Sequence, residues 1–218
     1  MAASGRIIDL RKRLAERFPH SRATAATHLV TGLSFLDKSS GGGLPRGAIT
    51  ELMSPRKSAG SASLIHALVE AAHRDNYFVA LIDGRDSFDP FGLNNAVLRH
   101  LIWVRCSKAS EAIKAADLLL RDANFPLVIV DLVLNAPEEL RKIPQTNWYR
   151  LQRLVELAPT ACLVFTPCQM VGSAQLKLVL ESSWNLKNFE HDPISQLRVR
   201  VQRSRFRAQI GSERAEVS

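Results

Sequence analysis

A chain of 218 residues, 46% of them hydrophobic, suffices for one large α/β domain with small additions at its ends and is short for two full domains. No stretch of about 18 apolar residues occurs and residues 1 to 20 are charged throughout, which argues against a membrane span and a secretory leader and predicts a cytoplasmic protein. The net charge of +8 is uneven: residues 1 to 28 hold six Lys/Arg against Asp9 and Glu16, residues 197 to 218 hold six Arg against Glu213 and Glu216, and the middle balances.

In chain order, Ile7, Leu10, Leu14 and Phe18 follow helical spacing with Arg6, Arg11, Arg13 and Arg17 elsewhere on the turn, which predicts a basic amphipathic helix closed by Pro19. Residues 21 to 31 read as a linker. Gly41 to Gly43 precede a strand and read as a turn. Strands are then expected at Ile49–Met53, Tyr77–Asp83, Leu101–Cys106, Pro126–Leu132 and Ala161–Thr166. Helices are expected at Ser61–Arg74, Phe91–Arg99, Ala109–Arg121 and Asn147–Leu157. Near-continuous apolar strands separated by helices call for a largely parallel sheet covered on both faces. Leu197 to Phe206 instead alternates like an exposed antiparallel strand, and the alternation slips at Gln202 and Arg203, suggesting a bulge. The expected division is a basic N-terminal helix and linker at 1–28, a core at 29–207 and a flexible tail at 208–218.

Cys106, Cys162 and Cys168 form no CxxC pair and lie in or beside apolar runs, which suits buried free thiols and argues against a structural disulfide or zinc site. His20, His28, His66, His73, His100 and His191 lack ligand spacing, so solvated or capping imidazoles are expected and no metal site.

The first strand-to-helix turn of such a sheet is where backbone N–H groups and a helix N-terminus hold phosphates. Here it reads Ser54-Pro55-Arg56-Lys57-Ser58-Ala59-Gly60-Ser61-Ala62. Against the pattern G-x-x-x-x-G-K-[ST], Gly60 takes the second glycine, so Ser61 stands at the lysine and Ala62 at the magnesium ligand. Ser54 replaces the first glycine, one residue too far from Gly60.

Residues Thr31 to Leu52 (TGLSFLDKSSGGGLPRGAITEL) resemble the stretch leading into the phosphate loop of RecA recombinases. Tyr77 to Pro90, Cys106 to Leu120 and Phe125 to Val133 continue the resemblance in order, the last being similar to the family's Walker B strand. The resemblance covers about residues 30 to 207 and implies a RecA-like P-loop core with an N-terminal helix and an antiparallel closing strand. It also implies three roles at matching positions. Asp131 is the Walker B remnant, Gln169 stands where the family has a nucleotide-sensing glutamine, and Arg85 stands where it has the glutamate that activates water. With Ser61, Ala62 and Arg85 in those places, the expectation is a P-loop homologue that does not hydrolyse ATP and needs no cofactor. Arg56 and Lys57 leave open weak nucleotide binding without turnover, against the alternative of exposed loop charges.

The loop Pro55-Arg56-x-x-x-Gly60 after the turn Gly42, Gly43, Pro45, Arg46 and Gly47 looks like the ImuA family of damage-inducible mutagenesis operons. That resemblance implies an accessory role in translesion synthesis beside an ImuB-like inactive Y-family polymerase relative, an error-prone C-family polymerase and RecA. The alternatives are a DNA-dependent ATPase or recombinase with an atypical loop, and a SulA-like cell-division regulator. Ile7, Leu10, Leu14 and Phe18 are candidates for partner docking or for packing on the chain's own core. Arg141, Lys142, Arg198, Arg200, Arg203, Arg205 and Arg207 are candidates for contact with DNA or an acidic partner.

Overall fold

Strands that are apolar on both sides need cover on both faces, and the sheet obtains it from helices above and below. The computed structural model describes residues 27–56, 60–182 and 193–205. Its elements run β1 (His28–Leu29), α1 (Ser34–Ser40), β2 (Leu44–Pro45), β3 (Ala48–Met53), α2 (Ser61–Arg74), β4 (Val79–Asp83), α3 (Asn95–Leu98) and β5 (Leu101–Arg105). There follow α4 (Ala109–Asp122), β6 (Leu127–Asp131), α5 (Pro137–Arg141), α6 (Gln145–Glu156), β7 (Ala161–Thr166), β8 (Leu176–Ser182), a 3-10 turn (Pro193–Gln196) and β9 (Leu197–Ser204). Seven strands make one sheet in the order β5-β4-β6-β7-β3-β8-β9, and β1 pairs with β2 in a small antiparallel ribbon. Within the large sheet every pairing is parallel except β8 with β9.

Alternate strand residues serve two cores. Leu52, Leu81, Ile129, Phe165 and Leu178 pack with Leu64 and Leu68 of α2 and Leu36 of α1 on one face. Ile49, Ile82, Val130 and Val164 pack with Ala112 and Ala116 of α4 and Trp148 and Leu151 of α6 on the other. Full burial of each large apolar side chain contributes about 1.5–3 kcal/mol before the entropy of ordering is subtracted.

The expected α/β architecture is present, with several local differences. The expected helix Phe91–Arg99 shrinks to α3, because Gly92 is left-handed at φ +91° and the Asn94 side chain caps the Val97 N–H at 3.0 Å. The end of the expected linker is ordered. Thr31 is fully buried, and the Asp37 carboxylate accepts its N–H at 3.0 Å, its hydroxyl at 2.7 Å and the Gly32 N–H at 2.9 Å. Gly41 to Gly43 do form a turn, all at positive φ, with Gly41 closing α1. The segment from Leu134 to Thr146, for which no element was expected, contains the short helix α5. Strand β8 was not anticipated at all. The slip in β9 is a bulge at Gln202: Lys177 faces Arg203, whereas Leu178 faces Val201.

One side-chain expectation needs correction. Cys106 and Cys162 are buried free thiols, but Cys168 is exposed, because it lies in the loop two residues past the end of β7. Three histidines are half-buried against other rings. His66 lies against Phe88, the His73 and His100 rings meet at 5.0 Å, and His100 stacks on Phe78. His66 Nε2 also meets the Asp89 carbonyl oxygen at 2.6 Å and His100 Nδ1 the Tyr77 carbonyl oxygen at 3.1 Å, so both rings hold backbone groups. Among the described residues no helix is long and apolar enough to cross a membrane, and no group of three or more His, Cys, Asp or Glu is placed to hold a metal. The readings at Ile7, Leu10, Leu14, Phe18, Lys57, Arg207 and residues 208–218 lie outside the described residues.

Candidate phosphate-loop site

The turn from β3 to α2 opens at the carboxyl end of the sheet. Ser54 is buried and donates its N–H to the Thr166 carbonyl at 2.8 Å, which extends the β3–β7 pairing by one residue. Pro55 and Arg56 are exposed. Gly60 precedes the helix at φ +92°, a left-handed geometry that favours glycine, and its carbonyl accepts the Leu64 N–H at 2.9 Å. Among the described residues no side chain caps α2, so none of them supplies a side-chain acceptor for its first N–H groups at the positive end of its dipole. These groups suit an anion. Ser61, half-buried, puts a short hydroxyl at the lysine position, and Ala62, exposed, puts a methyl at the magnesium position.

Asp83 and Asp131 end β4 and β6 and sit opposite each other in register. Asp83 is 1% exposed and fully engaged. It accepts the N–H groups of Arg85 at 3.2 Å, Ser87 at 2.7 Å and Phe88 at 2.7 Å, with the Trp103 indole N–H at 3.4 Å. It therefore anchors the turn after β4. Among the described residues Asp131 accepts the Val133 N–H, at 3.0 Å. Burial pushes its carboxyl up to about 6, and the nearby Asp83 charge adds to the rise while the Val133 bond opposes it.

Arg85 points away from the phosphate turn. It is exposed, and its Nη1 donates to the Ser107 carbonyl at 3.1 Å, at the entrance to α4. The neighbouring Glu139 carboxyl is held below its ordinary value, first by the Asn135 side-chain hydrogen bond and then by the Ala109 N–H. Between these turns Gly84 is tightly enclosed: a Cβ there would lie 2.6 Å from the Asp131 carbonyl oxygen and would also strike Asn135 Oδ1. Gly84→Ala is expected to lower stability by about 1–2 kcal/mol through overpacking, measured as a urea-midpoint shift at constant slope.

The candidate basic residues separate into two groups. Arg198 and Arg200 lie at the phosphate-turn end of β9, since Val179 pairs with both Met53 and Arg200. Arg200 is tied to Glu181 at 2.9 Å. Arg203 and Arg205 lie at the opposite end, where Arg205 donates its N–H to the Gln175 carbonyl at 2.8 Å and its guanidinium to the Gly172 carbonyl at 3.3 Å. Arg141 and Lys142 are exposed at the end of α5. Arg141 lines a cleft of about 460 Å³ with Trp148, Cys168, Gln169 and Met170. Gln169 is exposed and its Oε1 accepts from Gln202 Nε2 of β9 at 3.4 Å, which ties it to the sheet edge.

A second polar feature was missed in the sequence. Glu51 of β3 and Lys177 of β8 face each other in register, and Lys177 Nζ meets Glu51 Oε2 at 2.5 Å with side chains 2% and 0% exposed. The other Glu51 oxygen accepts the N–H groups of Met170 at 2.7 Å and Val171 at 2.9 Å and the Thr166 hydroxyl at 3.3 Å. Lys177 also donates to the Val171 carbonyl at 2.8 Å. The available signal was a charge inside each of two apolar runs, ITELM and LKLVL.

A largely parallel sheet whose first long strand feeds a phosphate-type turn defines a RecA-like α/β core. Sequence similarity runs to RecA proteins. The chain is 30% identical over 108 residues to Protein RecA of Picosynechococcus sp., which covers 47% of this chain and 30% of that protein. It is 29% identical over 109 residues to Protein RecA of Chlorobaculum tepidum, and 32% identical over 109 residues to Protein RecA of Clavibacter michiganensis subsp. michiganensis. Each of these two matches also covers 47% of this chain, with 30% and 29% of the respective relatives. The chain thus matches less than a third of the length of these curated relatives. No protein-family model matches the sequence.

Proposed function

We propose that this chain is a non-hydrolysing RecA-like accessory protein of DNA damage tolerance, supporting error-prone translesion synthesis through contacts with other proteins. The observation that carries the reading is the start of α2, where Ser61 and Ala62 offer neither an amine for phosphate nor a hydroxyl at the metal position. Arg85, turned to the Ser107 carbonyl, supports it from the side where the attacking water would be activated. The name of the matched relatives supports a role in DNA metabolism, and the ImuA-like loop supports the narrower assignment.

On this reading the working partners are an ImuB-like inactive Y-family polymerase relative, an error-prone C-family polymerase and RecA, and the protein works in the cytoplasm without a required cofactor. The arginines of β9 supply a basic edge for DNA or an acidic partner, with affinity that falls steeply as salt rises if the ligand is DNA. ATP turnover measured with and without single-stranded DNA is expected to equal the protein-free background. Turnover that depends on DNA and is lost in Lys57→Ala would make the chain an atypical ATPase instead. Affinity capture from DNA-damaged cells is expected to recover a polymerase or RecA, and recovery of neither overturns the accessory role. Filamentation of cells overproducing the chain would favour the cell-division reading.

A further inference from the structure

The connection from β7 to β8 has no helix, yet it crosses a sheet face that must be covered. Residues 167–175 do this as a loop, with Val171 and Ala174 entering the core beside Ile49 and Trp148. Two successive backbone N–H groups, Met170 and Val171, converge on one oxygen of Glu51. Consecutive N–H groups arranged this way form an anion-binding concavity, and here the anion is the protein's own carboxylate. Lys177 completes the arrangement by bridging the other Glu51 oxygen to the Val171 carbonyl.

We propose that the buried Glu51–Lys177 pair is a clamp that makes the 167–175 loop one cooperative unit with β3 and β8. This inference does not rest on the proposed function. The loop carries the exposed residues Cys168 and Gln169 and adjoins Gln202 and Arg205 of β9. Other ties hold the loop ends: Gln145 joins the Met170 carbonyl at 3.0 Å and the Gly172 N–H at 3.1 Å, and the Ser173 hydroxyl reaches the Trp148 carbonyl at 2.9 Å. The clamp therefore acts at the middle of the loop, on the N–H groups of half-buried Met170 and buried Val171, whose acceptor among the described residues is Glu51.

Native-state amide exchange of the full chain tests this. Met170 and Val171 are expected to exchange together with β3, through global unfolding only. Either single substitution risks unfolding the chain, so the decisive variant is Glu51→Met with Lys177→Met, which replaces the pair by apolar side chains but leaves both N–H groups without an acceptor. In that variant the Met170 and Val171 amides are expected to exchange at least about tenfold faster relative to β3, and Cys168 to alkylate faster, while β3 and β7 keep their mutual ranking. Loop amides that exchange ahead of β3 in the native chain overturn the clamp. So does a double variant whose Met170 and Val171 amides still track β3.

Discussion

Lys177→Met alone is expected to lower the stability of the fold by about 3–5 kcal/mol, because it leaves the Glu51 carboxylate buried without its counter-charge. Glu51 is 0% exposed and projects from the interior strand β3 under the 167–175 loop, so relaxation toward water would require displacing that loop. The backbone N–H groups of Met170 and Val171 still donate to Glu51, but two neutral donors replace only part of an ammonium ion. Adding Glu51→Met removes the stranded charge, and the double variant is expected to regain most of the loss. Its residual deficit comes from the two loop N–H groups and the Thr166 hydroxyl left without their acceptor. Urea unfolding of the native chain and of the single and double variants measures the cycle. Equal destabilisation in the single and double variants would show that lost packing, and not an uncompensated charge, sets the cost.

The same pair marks where sequence reasoning stops. Strands β3, β4, β6 and β7 were legible because their runs are apolar on both faces, and only a parallel sheet between two helical layers buries such runs. The phosphate-type turn was legible because Gly60 and Ser61 divide a strand from a periodic helix. Strand β8 was not, since Lys177 and Glu181 break its apolar run, and the reason that Lys177 is tolerated lies more than a hundred positions away at Glu51. Helix α1 was hidden by its serines and by a start fixed through Asp37, whose carboxylate holds residues outside the helix. For the site, the resemblance to RecA recombinases located Arg85 and Asp131 by position. It carried no information on direction, and the turn of Arg85 toward Ser107 depends on the Asp83-anchored loop that follows β4.

Asp131→Asn is expected to stabilise the fold at neutral pH, by roughly 3 kcal/mol if the full rise of its carboxyl is realised. The carboxyl rises from 3.8 to about 6 on folding, so the folded chain holds its proton more tightly than the unfolded chain does. The folded state therefore binds more protons between these two values, and native stability falls as pH rises through that window and levels off above it. Asparagine cannot ionise, so its advantage is small near pH 4, about half developed near pH 5 and complete by about pH 8. The geometry permits the exchange: Asn Oδ1 can still accept the Val133 N–H, and its amide lies across the register from the multiply bonded Asp83. An Asp131 retained to organise a cation at the phosphate turn would behave differently, since divalent metal would stabilise the native chain more than the variant. Thermal unfolding of both proteins at pH 5 and pH 8, with and without magnesium, separates the two. A gain that grows with pH and ignores magnesium supports a carboxylate that has outlived its metal partner at Ala62, whereas a native chain selectively stabilised by magnesium would return Asp131 to a functional nucleotide site.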